Sequence, residues 1–115
     1  MKDEDKEVLI AECQIHVGPG WGDILKRLVS DLFELGWDGH VLQVKEKFGG
    51  LRFYVGSANK AIHERIDAAA TESLKTCEEC GAPGVLRDGG WLKALCDEHS
   101  KGRDESKISG RFKRE

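Results

Sequence analysis

Residues 77–99 read CEECGAPGVLRDGGWLKALCDEH, and the two ends of this stretch decide how the C-terminal part of the chain folds. Cys77-Glu78-Glu79-Cys80 and Cys96-Asp97-Glu98-His99 are two C-x-x-C/H hooks separated by fifteen residues. A tetrahedral zinc ion takes four thiolate or imidazole ligands, usually supplied as two close pairs joined by a loop. The two-residue gap lets the backbone turn so that both side chains of a pair reach one metal. Gly81 suits the tight turn behind the first pair because glycine tolerates positive φ. Cys77, Cys80, Cys96 and His99 therefore predict one structural Zn2+ per chain, with every ligand drawn from the protein and no position left for substrate. A redox C-x-x-C or a disulfide explains the first pair alone, but neither supplies the second.

Working outward, Val85–Leu95 reads as a hairpin turning at Asp88-Gly89-Gly90. Asp97 and Glu98 suit the first turn of a helix starting at Cys96. Knuckle, hairpin and helix make a treble-clef-like module; a zinc ribbon would instead place both hooks on knuckles. Upstream, Ile24, Leu25, Leu28, Val29, Leu32 and Phe33 repeat at helical spacing, which predicts an amphipathic helix over about Gly22–Leu35 closed by Gly36. Gly18-Pro19-Gly20 ends a short strand expected over Glu12–Val17. Two β-prone runs, Val41–Phe48 and Leu51–Val55, flank Gly49-Gly50 and predict a hairpin turning there. Leu42, Val44, Leu51, Phe53 and Val55 form its inner face, with Lys45, Lys47, Arg52 and Tyr54 on the outer face. Ser57 or Asn59 caps a second helix that runs to about Ser73, burying Ala58, Ile62, Ile66, Ala69, Ala70 and Leu74. The fold class is thus α+β: a helix–β-hairpin–helix core over residues 1–75, a zinc-binding module over 76–101, and a flexible basic tail over 102–115.

Composition sets bounds on function. With 115 residues, 39% apolar and 34% charged, the core is small and a metal is a fitting supplement. No stretch is apolar enough to span a bilayer, and the polar opening Met1–Glu7 reads as a frayed end rather than a leader. Three of four cysteines serve the metal, which fits a reducing, cytoplasmic setting; Cys13, in an apolar stretch, reads as a buried core thiol. The net charge of −3 is uneven. Residues 1–40 carry four Lys/Arg against nine Asp/Glu, whereas the last sixteen carry six against three. Overall acidity argues against general DNA affinity.

Val44-Lys45-Glu46-Lys47-Phe48-Gly49-Gly50-Leu51-Arg52-Phe53-Tyr54, then Ser73-x-x-Thr76-Cys77-Glu78-x-Cys80-Gly81-x-Pro83-Gly84 and Leu95-Cys96-x-x-His99, resembles a family of small uncharacterised bacteriophage and prophage proteins. Gly20-Trp21 ahead of the first helix resembles that family's opening. The resemblance implies a phage-encoded accessory protein acting in the cytoplasm of a bacterial host; it carries no family-wide activity to transfer.

The remaining residues show no nucleophile elbow, phosphate loop or open metal site, and His16, His40 and His63 lack a catalytic spacing. The expectation is a non-enzymatic protein that binds a host or defence macromolecule, most simply a protein, through Lys45, Lys47, Arg52 and Tyr54. The alternative is nucleic-acid binding by that face and the tail. The unpaired hairpin edge also admits a homodimer. Trp21 and Trp37 are expected to cap the two ends of the core, and Trp91 to pack over the metal.

Overall fold

The computed structural model describes residues 3–88, 91–100 and the backbone of 104–105. Helix α1 spans Asp3–Gln14, and a 3-10 turn over Pro19–Trp21 leads into α2, Gly22–Glu34. Strands β1 (Val41–Lys47) and β2 (Gly50–Val55) form an antiparallel hairpin followed by α3, Lys60–Ser73. Beyond the first hook, β3 (Val85–Asp88), β4 (Lys93–Leu95) and β5 (Asp104–Glu105) make a second antiparallel sheet in the order β4-β3-β5. The class is α+β with two small sheets.

The chain does not form a strand over Glu12–Val17: α1 occupies Asp3–Gln14 and takes in Asp3–Glu7 of the polar opening. Leu9 and Ile10, half-buried, and Cys13, 3% exposed, recur on one helical face that packs on the core. Ile15, which a strand would have needed inside, is exposed. In α2 the stripe read from spacing is the centre of the core: Ile24, Leu25, Leu28, Val29 and Leu32 are all fully buried. Its C-terminus is a Schellman closure. Gly36 stands at φ 95°, its N–H donates to Phe33 O, and the Trp37 N–H donates to Leu32 O. Trp37 then stacks on Phe33 with centroids 4.8 Å apart.

The hairpin turns one residue earlier than expected. Phe48 (φ 55°) and Gly49 (φ 82°) are both left-handed, as a type I′ turn requires, and Gly50 already pairs with Lys47. Glu46 Oε2 accepts from the Gly49 N–H at 2.8 Å and holds that turn. A Cβ on Gly49 would collide with Leu86 of β3, so the hairpin tip seats against the second sheet. Leu86 and Ala94 share one apolar cluster with Leu51 and Phe53. Leu42 does not join the inner face: a register shift between Val41 and Gln43 turns it out, and it is exposed. Val44, Leu51 and Phe53 are buried as expected.

Asn59 caps α3 through Oδ1, which accepts from the Ile62 N–H at 2.9 Å. Ile62, Ala69 and Ser73 are its buried positions, with Ile66 and Leu74 half-buried. Arg27 binds Glu72 through two nitrogens and Arg65 binds Asp31, fixing α3 against α2. The helix expected from Cys96 is not formed over Cys96–Ser100, which make a turn, and residues 101–103 lie outside the described residues. Within the segment read as tail, Asp104–Glu105 pair with Arg87 and Asp88 of β3.

Candidate metal centre

Cys77 and Cys80 sit on a tight backbone loop. The Cys77 N–H donates to Ala82 O at 2.8 Å, the Gly81 N–H donates back to Cys77 O at 2.9 Å, and Gly81 takes φ 83°. A bridge between Thr76 and Pro83 closes the base of this knuckle. Cys96 and His99 sit on a second turn, where the His99 N–H donates to Cys96 O. The four ligand atoms lie within 4.8 Å of one another.

Their spacing is a test of fit. At Zn–S near 2.3 Å and Zn–N near 2.0–2.1 Å, a tetrahedron puts sulfur atoms about 3.8 Å apart and sulfur about 3.6 Å from nitrogen. Cys80 Sγ and Cys96 Sγ are 3.6 Å apart, and Nδ1 of His99 lies 3.7 Å from Cys77 Sγ and 3.2 Å from Cys96 Sγ. Those separations exclude disulfides, whose sulfurs lie about 2.05 Å apart, and all four cysteines are free. The set thus fits one tetrahedral ion with Nδ1 as the imidazole ligand. The His99 ring draws the Cys96 thiol down to about 6, toward the thiolate a metal needs.

The support around the hooks comes from residues that spacing did not single out. The Gly18–Trp21 segment clamps the knuckle from below. Glu78 O accepts from the Gly20 N–H at 2.6 Å, Glu78 Oε2 accepts from the Gly18 N–H at 3.0 Å, and Trp21 Nε1 donates to Thr76 O at 3.0 Å. A Cβ on Gly20 would overlap the Cys77 carbonyl and the amides of Cys80 and Gly81. Glycine is therefore required there by close approach, beyond its role as a helix breaker. Burial pushes the Glu78 carboxyl up, opposed by the Gly18 amide and by Lys93, whose Nζ is 3.9 Å away. On the other side Arg87 of β3 donates to Leu95 O at 2.9 Å and pairs with Asp97 at 2.7 Å, orienting the second turn. These contacts join residues far apart in sequence, so no local pattern announces them.

Trp21 and Trp37 are buried in the core, whereas Trp91 is 65% exposed. Its hairpin position falls beside residues 89–90, which lie outside the described residues. Cys13 is a buried thiol pushed up to about 11 by desolvation and by Glu12. His16 and His63 line separate clefts, and the His40 ring lies against Gly56.

The register puts Lys45 opposite Arg52 and Gln43 opposite Tyr54, and carries Lys47 onto the same solvent-facing side. Lys45 Nζ lies 6.0 Å from the Tyr54 ring centroid, and Lys47 Nζ lies 5.4 Å from that of Phe48. Among the described residues, none of the three cations is in an ion pair. Lys45 also borders a cleft of about 420 Å3 with Glu46, Glu78 and Lys93.

No helix among the described residues is long and apolar enough to cross a membrane. No protein-family model, curated protein or solved structure matches the chain.

Proposed function

We propose that this is a non-enzymatic, zinc-stabilised binding protein whose outer hairpin face docks on an acidic protein surface. The ion is Zn2+, chosen by three thiolates and an imidazole in a tetrahedral spacing, and its task is structural because the protein fills all four positions. The treble-clef-like reading is supported by the knuckle at Cys77–Gly81 and the β3–β4 hairpin that leads to the second ligand-bearing turn. Binding of the ion fixes residues 77–99 and, through Gly49 and Leu86, the hairpin tip.

The observation that carries the binding reading is the solvent face of β1–β2. Lys45, Lys47 and Arg52 stand there with no carboxylate partner among the described residues, interleaved with Tyr54 (43% exposed) and beside Phe48 (61% exposed) at the tip. Arginine and aromatic rings are the side chains that anchor protein interfaces, and unpaired cations steer toward acidic partners. The resemblance to phage and prophage proteins supports a bacterial host or defence protein as that partner, met in the host cytoplasm. The same unpaired cations beside a ring that can stack on a base support nucleic acid as the second reading.

Affinity capture from bacterial lysate separates the readings. The wild-type chain is expected to retain a protein that survives nuclease treatment, and Lys45→Glu with Arg52→Glu is expected to release it. Retention of nucleic acid whose affinity falls steeply with salt would support the second reading. Equal capture by the charge-reversed chain would remove the hairpin face from the account.

A further inference from the structure

The three sulfur ligands are not equally guarded. Cys77 is fully buried and Cys96 is 8% exposed, whereas Cys80 is exposed. Of the three, Cys80 is therefore the one that solvent reaches.

The two turns that carry the ligands are also held with different firmness. On the knuckle, the Cys77 N–H donates to Ala82 O at 2.8 Å, the Cys77 carbonyl accepts from the Gly81 N–H at 2.9 Å, and the next amide, of Glu78, donates to Ala94 O at 2.9 Å. The Gly20 N–H adds a bond to Glu78 O at 2.6 Å. The turn that carries Cys96 has longer bonds: His99 N–H to Cys96 O at 3.2 Å and Ser100 N–H to Asp97 O at 3.4 Å. Its tie to β3 at Asp97 is a salt bridge from a fully exposed carboxylate. Cys80 Sγ lies 3.6 Å from Cys96 Sγ across the site. A disulfide stands at about 2.05 Å, so a shift of about 1.6 Å by the looser turn brings the two sulfurs to bonding distance. Cys77, pinned behind the knuckle, has no comparable freedom.

We propose that Cys80 and Cys96 form a redox latch on the metal centre: peroxide joins them in a disulfide and the zinc ion is released. This inference rests on the zinc reading above and adds its regulation. Metal-bound cysteine is already thiolate, the form that reacts with peroxide. The exposed Cys80 sulfur attacks one oxygen of hydrogen peroxide; an S–O bond forms, the O–O bond breaks and hydroxide leaves. The Cys96 thiolate then attacks the Cys80 sulfur; the S–S bond forms, the S–O bond breaks and a second hydroxide leaves. The two sulfurs give up two electrons, the peroxide takes them, and two protons from solvent turn the hydroxides into water. Cys77 and His99 alone are half of a tetrahedral set and do not retain the ion.

The test uses the full chain loaded with zinc, its metal content read by native mass spectrometry before and after hydrogen peroxide. Each chain is expected to lose one zinc ion and to take the mass of the metal-free chain less two hydrogens. Dithiothreitol with added zinc is expected to restore the starting mass. Trypsin places Cys77 and Cys80 together on residues 76–87 and Cys96 on residues 94–101. The non-reduced digest should therefore join those two peptides, and fragmentation between Cys77 and Cys80 should put the link on Cys80. Cys80→His offers an imidazole in place of the exposed thiolate and cannot form the bridge. It is expected to keep its ion through the same exposure; where it fails to load, the wild-type map decides alone. A chain without zinc before peroxide is added overturns the metal reading and the latch with it. A chain that starts loaded and keeps its zinc, or whose link is Cys77–Cys80 within one peptide, overturns the latch alone.

Discussion

The indole N–H of Trp21 donates to the carbonyl oxygen of Thr76 at 3.0 Å, tying the start of α2 to the residue immediately before the first metal ligand. Trp21 is fully buried, so this bond spans the junction between the helical core and the metal module. The module is thereby built onto the core and does not merely follow it in sequence.

Trp21→Phe keeps most of the packing and removes the donor. The Thr76 carbonyl is then left without its partner, at a cost of about 1–3 kcal/mol. Urea unfolding of the zinc-loaded variant is expected to show that loss, together with faster zinc transfer to a chelator. Unchanged zinc release with lowered stability would confine Trp21 to the core.

Two glycine substitutions should behave differently. Gly20→Ala drives a methyl group into the Cys77 carbonyl, so the knuckle has to shift and metal affinity should fall along with stability. Gly36→Ala meets no atom within 4 Å but forces φ 95° on an alanine, and should cost about 1 kcal/mol with metal affinity unchanged. Chelator competition beside thermal unfolding reads both quantities.

Cys13 gives the protein an alkaline limit. Its thiol is pushed up to about 11, so the folded state keeps a proton that the unfolded chain loses near pH 8.5. The sign follows: this contribution is fully present below pH 8.5 and declines as pH rises toward 11, by at most about 3 kcal/mol. Cys13→Val removes the titrating group. The stability difference between the two proteins should therefore shift in the variant's favour across that window and stay flat below it. A flat difference throughout would contradict the burial argument.

The Arg27–Glu72 pair works at the acid end on a smaller scale. The Arg27 hydrogen bonds hold the Glu72 carboxyl below its usual range, so its contribution is present above about pH 4.3 and lost as pH falls below it. Both side chains are well exposed, which limits the effect to about 0.5 kcal/mol after solvent screening. Acid titration of stability in Glu72→Gln, compared with wild type, should lose that small slope.

What could be read from the sequence was what local spacing encodes. The α2 stripe, the Gly36 closure, the Asn59 cap and the two hooks each depend on residues within a turn or two of each other. The hairpin was legible in its strands but not in its turn, because a phenylalanine at φ 55° is not what Gly49-Gly50 suggests. The identity of the tip is set by Leu86, which leaves no room for a side chain at Gly49. The strand expected over Glu12–Val17 has a similar origin: packing of Leu9, Ile10 and Cys13 on the core, which no local spacing encodes, carries the helix through Gln14. The clamp by Gly18, Gly20 and Glu78, and the brace from Arg87, are long-range contacts whose members look like an ordinary breaker and ordinary surface charges.

Native mass spectrometry of the chain purified in zinc tests the central assignment most directly. The expected spectrum shows one zinc ion per chain, with Cys96→Ser losing the ion and hydrogen exchange rising across residues 77–99. A metal-free chain with four free thiols and an equally protected 77–99 segment would contradict it, as would a mass two hydrogens light from a disulfide.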